Sequence, residues 1–176
     1  MKTWWILAAA AALLVAITGC SRQVTHSQAT VTKSEVPAAA HQAVSPGLEQ
    51  ASAEFLETGK RKWRVGQMKE AQKNFAKAVE KNPYNFEAHY WLALMERDGR
   101  NWDRASHHFA QAVQHCPEGR WESRIRVEWG LTFEQQGQKG MAAKQYDLAL
   151  LADPNYKEAQ MSRQRVMPLP NASFEN

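Results

Sequence analysis

Four side chains capable of metal binding or nucleophilic chemistry lie close together in the second half of the chain: His107, His108, His115 and Cys116. Imidazole nitrogen and thiolate sulfur are typical zinc ligands. On a helix, however, His107 and His108 point about 100° apart, and the spacing of the four residues matches no zinc signature. The pattern therefore favours a solvated helix surface with a partly packed His115, and the sequence predicts no metal and no cofactor.

Other catalytic patterns are equally absent from the sequence. It contains no Ser-His-Asp order with a nucleophile turn, no glycine-rich phosphate loop and no paired acids in a credible cleft. We therefore predict that the protein is not an enzyme. The alternative is a subunit or regulator of a cell-wall hydrolase, in which His107 and His108 take part in chemistry.

Cys20 is the other residue with a chemical role, because of the segment that precedes it. Residues 4–17 are uncharged and mostly apolar and follow Lys2. A membrane-spanning helix needs about 20 apolar residues, so this run is typical of a signal peptide. Residues 17–20, Ile-Thr-Gly-Cys, resemble the lipobox of bacterial lipoproteins. The alternatives are an ordinary secretory signal with an incidental cysteine, or an uncleaved anchor helix.

The lipobox resemblance implies cleavage before Cys20 and acyl chains on that residue, which would anchor the protein in a membrane of a bacterial cell envelope. By similarity to enterobacterial lipoproteins, Ser21 favours the outer membrane, with the protein facing the periplasm. Cys116 would then be the remaining cysteine. We expect it to be buried, since a lone exposed thiol is a liability in an oxidising compartment.

Composition and domain boundaries limit the remaining classes of protein. The chain of 176 residues has 22 bases and 18 acids, a net charge of +4 that is too mild to indicate nucleic-acid binding. We predict a signal peptide over 1–19, a lipidated amino terminus and disordered tether over 20–46, and a flexible tail over 168–176. A partly helical stretch within the tether is the alternative. The folded domain is predicted over 47–167.

An internal repeat determines the fold of that domain. Ala71, Phe75, Ala78 and Pro83 recur 34 residues later and again after a further 37. On a helix the small alanines allow a close neighbour, the aromatic residue fills the space between helices, and the proline ends the helix. The later copies are Ala105, Phe109, Ala112 and Pro117, then Ala142, Tyr146, Ala149 and Pro154.

Each repeated helix follows another helical segment, predicted over 48–65, 86–98 and 121–136. A glycine lies in each connecting turn, where a left-handed carboxy cap is needed. These glycines are Gly66, Gly99 and Gly137. Asn85 and Asn155 are predicted amino caps, the latter in a capping box with Glu158. Three extra residues near position 119 predict a longer first helix or a wider loop in the third unit.

The unit of helix, glycine turn, helix and proline turn resembles the tetratricopeptide repeat. The resemblance implies an all-α fold: a short right-handed superhelix of three hairpins. A seventh helix over 157–166 is predicted to cap the array. The first helix of each pair is then expected to line a concave groove that binds a protein or peptide. The groove positions are Leu56, Lys60, Trp63, Arg64, Tyr90, Leu94, Arg97, Val127, Leu131 and Glu134.

These residues predict a groove with apolar and aromatic groups in the middle and cations around them, suited to apolar anchors and acidic groups of a partner. Leu56 and Lys60 occupy the slots in which chaperone-binding relatives carry a carboxylate clamp, so recognition of a free carboxy terminus in that manner is disfavoured. The alternative is that Trp63, Tyr90 and Trp91 pack only between hairpins.

The sequence thus predicts a lipid-anchored adaptor that binds a partner protein through its groove and takes part in assembly of an envelope machine of the pilus or secretion type. A passive structural lipoprotein with no specific partner is a further alternative. In the adaptor hypothesis, the partners are a protein or peptide and, through Cys20, the membrane.

Overall fold

The computed structural model describes residues 44–167. The predicted signal peptide, the lipidation site Cys20, most of the tether and the tail over 168–176 lie outside the described residues. Within them the chain forms seven helices and no strands. The helices are α1 (Pro46–Arg64), α2 (Met68–Lys81), α3 (Phe86–Asp98), α4 (Trp102–His115), α5 (Arg120–Gln135), α6 (Lys139–Ala152) and α7 (Lys157–Val166).

The helices pack as three consecutive hairpins, α1 with α2, α3 with α4 and α5 with α6, and α7 packs on the last of these. The predicted all-α repeat architecture is therefore confirmed. The repeated alanines and aromatic rings of α2, α4 and α6 are fully buried. Each hairpin buries the same set of positions, so the repeat in the sequence corresponds to a repeated core.

Two tryptophans join the cores of neighbouring hairpins. Trp91 of α3 packs against the core of the first hairpin and that of the second, and Trp129 of α5 packs against those of the second and third. The Trp91 ring stacks on Phe75 with 5.6 Å between centroids. Apolar packing is therefore continuous along the array, as a repeat protein requires for stability.

Glycine allows the two helices of a hairpin to approach closely in the first and third units. A Cβ atom at Gly59 would lie 2.5 Å from Phe75 Cε1, and one at Gly130 would lie 2.8 Å from Tyr146 Cζ. Both distances are shorter than real Cβ contacts. The second unit has Ala93 at the corresponding position, 34 residues after Gly59, and this alanine belongs to the same core cluster as Phe109.

A buried serine fixes the start of the first helix against the end of the second in two of the hairpins. Ser52 donates a hydrogen bond to the carbonyl oxygen of Ala78 at 2.8 Å, and Ser123 donates to that of Ala149 at 2.6 Å. Ser52 also accepts a hydrogen bond from Asn85. Asn85 in turn caps α3, as predicted, by accepting from the Ala88 amide at 3.0 Å.

The predicted amino cap of α7, Asn155, is wrong. The residue before the helix is Tyr156, and no side chain caps the amino terminus. Asn155 lies instead in a turn in which its amide donates to Asp153 Oδ1 at 3.0 Å. Asn82 makes the equivalent turn with the amide of Tyr84 at 2.9 Å.

The hairpin turns also correct one glycine assignment. Gly66 and Gly137 have positive φ, +78° and +75°, as the left-handed cap requires. In the second hairpin Gly99 has a φ of −78°, and the left-handed residue is Arg100 at +59°. Arg100 is the residue that lies 34 positions after Gly66, so the spacing of the repeat determines which residue takes this conformation.

The three extra residues of the third unit lengthen its first helix. The loop from α4 to α5 covers residues 116–119, four residues like the loops at 82–85 and 153–156, whereas α5 has 16 residues against 13 in α3. Of the helices within residues 44–167, none is both long and apolar enough to cross a membrane.

Candidate protein-binding groove

The first helices of the hairpins, together with α7, are linked to one another by side-chain contacts. We call the surface that these contacts form on α1, α3, α5 and α7 the groove face. The ten predicted groove residues divide by burial into three sets. Leu56, Tyr90 and Val127 are buried, and Trp63 and Arg64 are exposed. The half-buried ones are Lys60, Leu94, Arg97, Leu131 and Glu134.

This division changes the predicted roles of the groove residues. Leu56, Tyr90 and Val127 are at most 6% exposed, so they support the surface from below. Leu94 and Leu131 pack against the cores of the second and third hairpins and keep part of their surface open. The apolar contact that the groove face offers to a partner therefore comes mainly from these two leucines and from Trp63.

Lys60 is neutralised by glutamates of this chain. Its Nζ lies 2.8 Å from Glu57 of the same helix and 2.5 Å from Glu87 of α3. Burial lowers the pKa of Lys60, but the hydrogen bonds to the two glutamates raise it more, so the net shift is upward. Lys60 therefore links two hairpins and is not a free cation for a partner.

Two further ion pairs continue this series along the groove face. Arg97 Nη1 of α3 lies 2.6 Å from Glu128 Oε2 of α5. Arg165 Nη2 of α7 lies 2.6 Å from Glu134 Oε1, which also accepts a short hydrogen bond from Tyr146. The hydrogen bond from Arg165 is the main reason why the pKa of Glu134 is lowered. The predicted cations around the groove are thus largely paired within the protein.

Arg124 is a groove-face cation that sequence reasoning missed. Its guanidinium lies 5.5 Å from the ring centroids of both Tyr90 and Trp121, and its Nε donates to the Tyr90 hydroxyl at 3.2 Å. Its Nη atoms make no hydrogen bond within residues 44–167, and the side chain is exposed. The repeat in the sequence could have identified Arg124. It lies 37 residues after Glu87, and the repeat alignment places the two residues on the same face.

The aromatic rings on this surface also belong to the core, in agreement with the alternative that they pack between hairpins. Trp63 of α1 contacts Trp91 of α3 with 5.1 Å between ring centroids. Trp91 is half-buried, and its indole nitrogen is buried with no hydrogen-bond partner among residues 44–167. Trp91 is therefore a packing residue, whereas Trp63, 41% exposed, both packs and faces solvent.

The histidines on α4 differ from the predicted solvated surface. His107 is exposed, but His108 is half-buried, and its Nδ1 lies 3.1 Å from Nδ1 of His89 on α3. His89 Nε2 lies 3.0 Å from the carbonyl oxygen of Pro83, which can only accept, so this nitrogen carries the hydrogen. Neutral His89 therefore accepts at Nδ1 from His108.

The histidine pair is held in its neutral form. Burial is the main cause that lowers the pKa of His108 to about 4 and also lowers that of His89. No group of three or more metal-ligating side chains occurs within residues 44–167. Cys116 is buried as predicted, and its thiol contacts the carbonyl oxygen of Val113. The hydrogen bond between His89 and His108 joins α3 to α4.

Comparison with known proteins supports the helical-repeat fold described above. No protein-family model matches the sequence, and no curated protein matches it. Among solved structures, the tetratricopeptide domain of Arabidopsis OM64 is 19% identical with a TM-score of 0.61, over 68% of this chain and 97% of that one. The first such domain of Spaghetti, bound to an HSP90 peptide, is 20% identical with a TM-score of 0.60, over 67% and 91%.

A third similar structure is YrrB, described as having an unusual peptide-binding site, with 16% identity and a TM-score of 0.57 over 71% of this chain and 64% of that one. At these identities the likeness shows the fold alone. The described part of the chain therefore has the helical-repeat fold of tetratricopeptide domains.

Proposed function

We propose that this protein is an adaptor that binds a partner protein or peptide along its groove face while acyl chains on Cys20 hold it in a bacterial cell envelope. The outer membrane, facing the periplasm, is the proposed location. Assembly of an envelope machine of the pilus or secretion type is the proposed process. The groove and the anchor are independent parts of this proposal, and each has its own test.

The observation that carries the groove is the arrangement around Arg124. Its guanidinium is held by two rings and a hydroxyl while its Nη atoms remain open, on a face where Lys60 and Arg97 are paired with glutamates. A cation already fixed in position loses little conformational freedom on binding a carboxylate. Leu94 and Leu131 lie on the same groove face and are half-buried, so this arrangement favours a peptide that carries both an acidic side chain and apolar ones.

The similar structures support peptide binding as the use of this fold. The Spaghetti domain was solved with an HSP90 peptide, SRMEEVD, and YrrB is described by its peptide-binding site. The peptide of the first contains two adjacent glutamates. In our proposal the partner of this protein is recognised by side-chain carboxylates, because Leu56 and Lys60 do not provide the clamp for a free terminus.

Photo-crosslinking in intact cells tests the groove. A benzophenone amino acid replaces Leu94 on the groove face or, as a matched control, the exposed Gln114 on the second helix of the same hairpin. We expect one partner to be crosslinked from position 94 and not from position 114, and to be lost when Arg124→Gln is added. Equal crosslinking from both positions would contradict groove binding.

Cell fractionation tests the anchor. The Cys20→Ser variant should leave the membrane fraction, because acyl chains contribute about 0.8 kcal/mol of membrane affinity per buried methylene. Retention of the variant in membranes after a high-salt wash, which weakens contacts of exposed charges, would contradict lipidation at Cys20. Ser21→Asp is a control for sorting: in a host that follows the enterobacterial rule, it should move the protein from the outer to the inner membrane.

A further inference from the structure

The turn between α1 and α2 differs in composition from the other two hairpin turns. Residues 61–69, Arg-Lys-Trp-Arg-Val-Gly-Gln-Met-Lys, contain four cations and no acid, a net charge of +4. The equivalent residues 95–103 have two cations and three acids, a net −1, and residues 132–140 have one of each, a net 0. The fold therefore does not require this composition, because it forms the same turn with two others.

Three apolar residues of this turn are exposed, although one of them, Trp63, also packs on Trp91. Val65 is 65% exposed, Met68 48% and Trp63 41%. Exposure of apolar side chains to water contributes no favourable free energy, although single exposed apolar residues are common on protein surfaces. Here three occur within six residues, on either side of Gly66 in the turn between α1 and α2, and we call them the apolar tip.

The cations of the turn are not neutralised by carboxylates. Arg61 donates to the Thr58 hydroxyl and Lys62 to the side-chain oxygen of Gln67, both neutral acceptors. Within residues 44–167, no carboxylate lies in ion-pair distance of Arg61, Lys62, Arg64 or Lys69. Arg64 contributes only a weak, long-range part to the lowered pKa of Glu57. This state contrasts with Lys60 and Arg97, which are paired.

Exposed Trp, Val and Met surrounded by unpaired Arg and Lys match the chemistry of an anionic lipid surface. Tryptophan prefers the headgroup level of a bilayer, apolar side chains enter the boundary with the acyl chains, and cations are attracted to acidic headgroups. Long Lys and Arg side chains also keep their charge at the headgroups while their stems are buried. An acidic surface alone would satisfy the cations but leave the exposed Trp63, Val65 and Met68 without an apolar partner.

We infer that the α1–α2 turn, residues 61–69, is a membrane-contact tip that inserts into the headgroup region of an anionic bilayer. This inference rests on the membrane anchoring of the proposed function and adds a second contact to it. The second contact would hold the first hairpin against the bilayer. It would orient the groove face relative to the membrane, because Trp63 and Arg64 belong to both the tip and the end of that face.

The test uses the full chain reconstituted on vesicles and an environment-sensitive dye on one added cysteine. Val65→Cys places the dye on the tip, and Gln138→Cys places it on the equivalent turn of the third hairpin as a matched control. Both sites are exposed, and Cys116 is buried. The chain without an added cysteine, treated in parallel, measures labelling of the native thiols.

On vesicles of phosphatidylethanolamine with phosphatidylglycerol, we expect dye emission from position 65 to shift to the blue and emission from position 138 to stay unchanged. The shift should shrink on phosphatidylcholine vesicles and at high salt, since salt screens exposed charges. Combining Arg61→Gln, Lys62→Gln and Arg64→Gln with the label should abolish the shift, whereas Lys139→Gln with Lys144→Gln should preserve it.

Vesicle flotation separates this inference from the proposed function. If the chain floats with vesicles but positions 65 and 138 give the same emission, the membrane-contact tip is wrong and the anchor stands. If the chain does not float, both are wrong. A blue shift at position 65 in native membranes but not on pure lipid would assign the tip to a protein partner and overturn contact with lipid.

Discussion

At the scale of single residues, the repeat forces one residue of a hairpin turn into an unfavourable backbone conformation. Arg100 is the one non-glycine residue with positive φ among residues 44–167, at +59°. An L-residue with a Cβ atom is disfavoured in this region, whereas glycine is not. The equivalent Gly66 and Gly137 avoid this cost, so Arg100 is a local conflict between side chain and turn.

We therefore predict that Arg100→Gly stabilises the protein. Relief of the left-handed conformation should raise the free energy of unfolding by about 1 kcal/mol, measured by urea denaturation. The matched control is Gly66→Ala, which should lower it by a similar amount although no atom lies within 4 Å of the added Cβ. A fall in stability for Arg100→Gly would contradict this account of the turn.

The close approach at Gly59 leads to a second prediction. Gly59→Ala should lower the free energy of unfolding by about 1–3 kcal/mol, since the new Cβ would overlap the Phe75 ring. Gly140→Ala in α6 is the control, with no atom within 4 Å, and a gain of about 0.5 kcal/mol is expected from helix propensity alone. Equal effects of the two changes would show that packing against Phe75 is not the cause.

At the scale of helices, neighbouring elements are joined by a few specific polar contacts in addition to apolar packing. The His89 and His108 pair joins α3 to α4, and the Ser52 hydroxyl bridges α1, the end of α2 and the cap of α3 through Ala78 and Asn85. Buried polar groups are costly unless they are hydrogen-bonded, so these contacts restrict the register of each pair.

The histidine pair makes stability depend on pH. The folded-state pKa values of His89 and His108 lie below the ordinary value of 6.5, so the unfolded chain takes up protons first as the pH falls. The stability that the pair contributes is complete above 6.5 and is lost progressively as the pH falls towards 4. We expect the free energy of unfolding to decrease between pH 7 and pH 5.

Denaturation at pH 7 and pH 5 checks this prediction. His108→Gln should reduce the difference between the two pH values, and His107→Gln, at an exposed position, should retain most of it. The glutamates Glu57 and Glu134 have lowered pKa values, and their stabilising contribution is lost mainly below their ordinary value of 4.5, so they account for little of the change between pH 7 and pH 5. A pH dependence unchanged by His108→Gln would assign it to other groups.

At the scale of the whole molecule, the described chain is a linear stack in which each hairpin mainly contacts its neighbours, closed at one end by α7. Ala159 and Val166 of α7 are buried against the core of the third hairpin, while Met161 is 69% exposed. A repeat array needs such a terminal helix, because the last hairpin would otherwise leave an apolar face in water.

Removal of α7 should therefore destabilise the third hairpin first. We expect a chain ending after Tyr156 to lose roughly 2 kcal/mol of stability relative to one ending after Met167, from exposure of apolar surface alone. Hydrogen exchange should accelerate in α5 and α6 and change little in α1 and α2. Uniform acceleration across all helices would instead indicate a single cooperative unit.

Spacing along the chain predicted the all-α repeat architecture, the alanine and aromatic core and the terminal helix α7, whereas the groove positions remain predictions. These features follow from spacing along single helices, where 3.6 residues per turn relates sequence directly to position. The exact bounds of α3 and α7 followed for the same reason. Cys20 and the anchor remain predictions from sequence alone.

The state of those groove positions depends on contacts between helices, which the packed structure shows. Glutamates of neighbouring helices neutralise Lys60 and Arg97, aromatic rings from two helices fix Arg124, and His89 meets His108 across a hairpin. Apart from the contact of Arg124 with Trp121 in the same helix, each contact joins residues 19 to 34 positions apart, and its formation depends on the distance and angle between helices. Periodicity within one helix contains no information on that angle, so pairing, burial and open charge had to come from the packed structure.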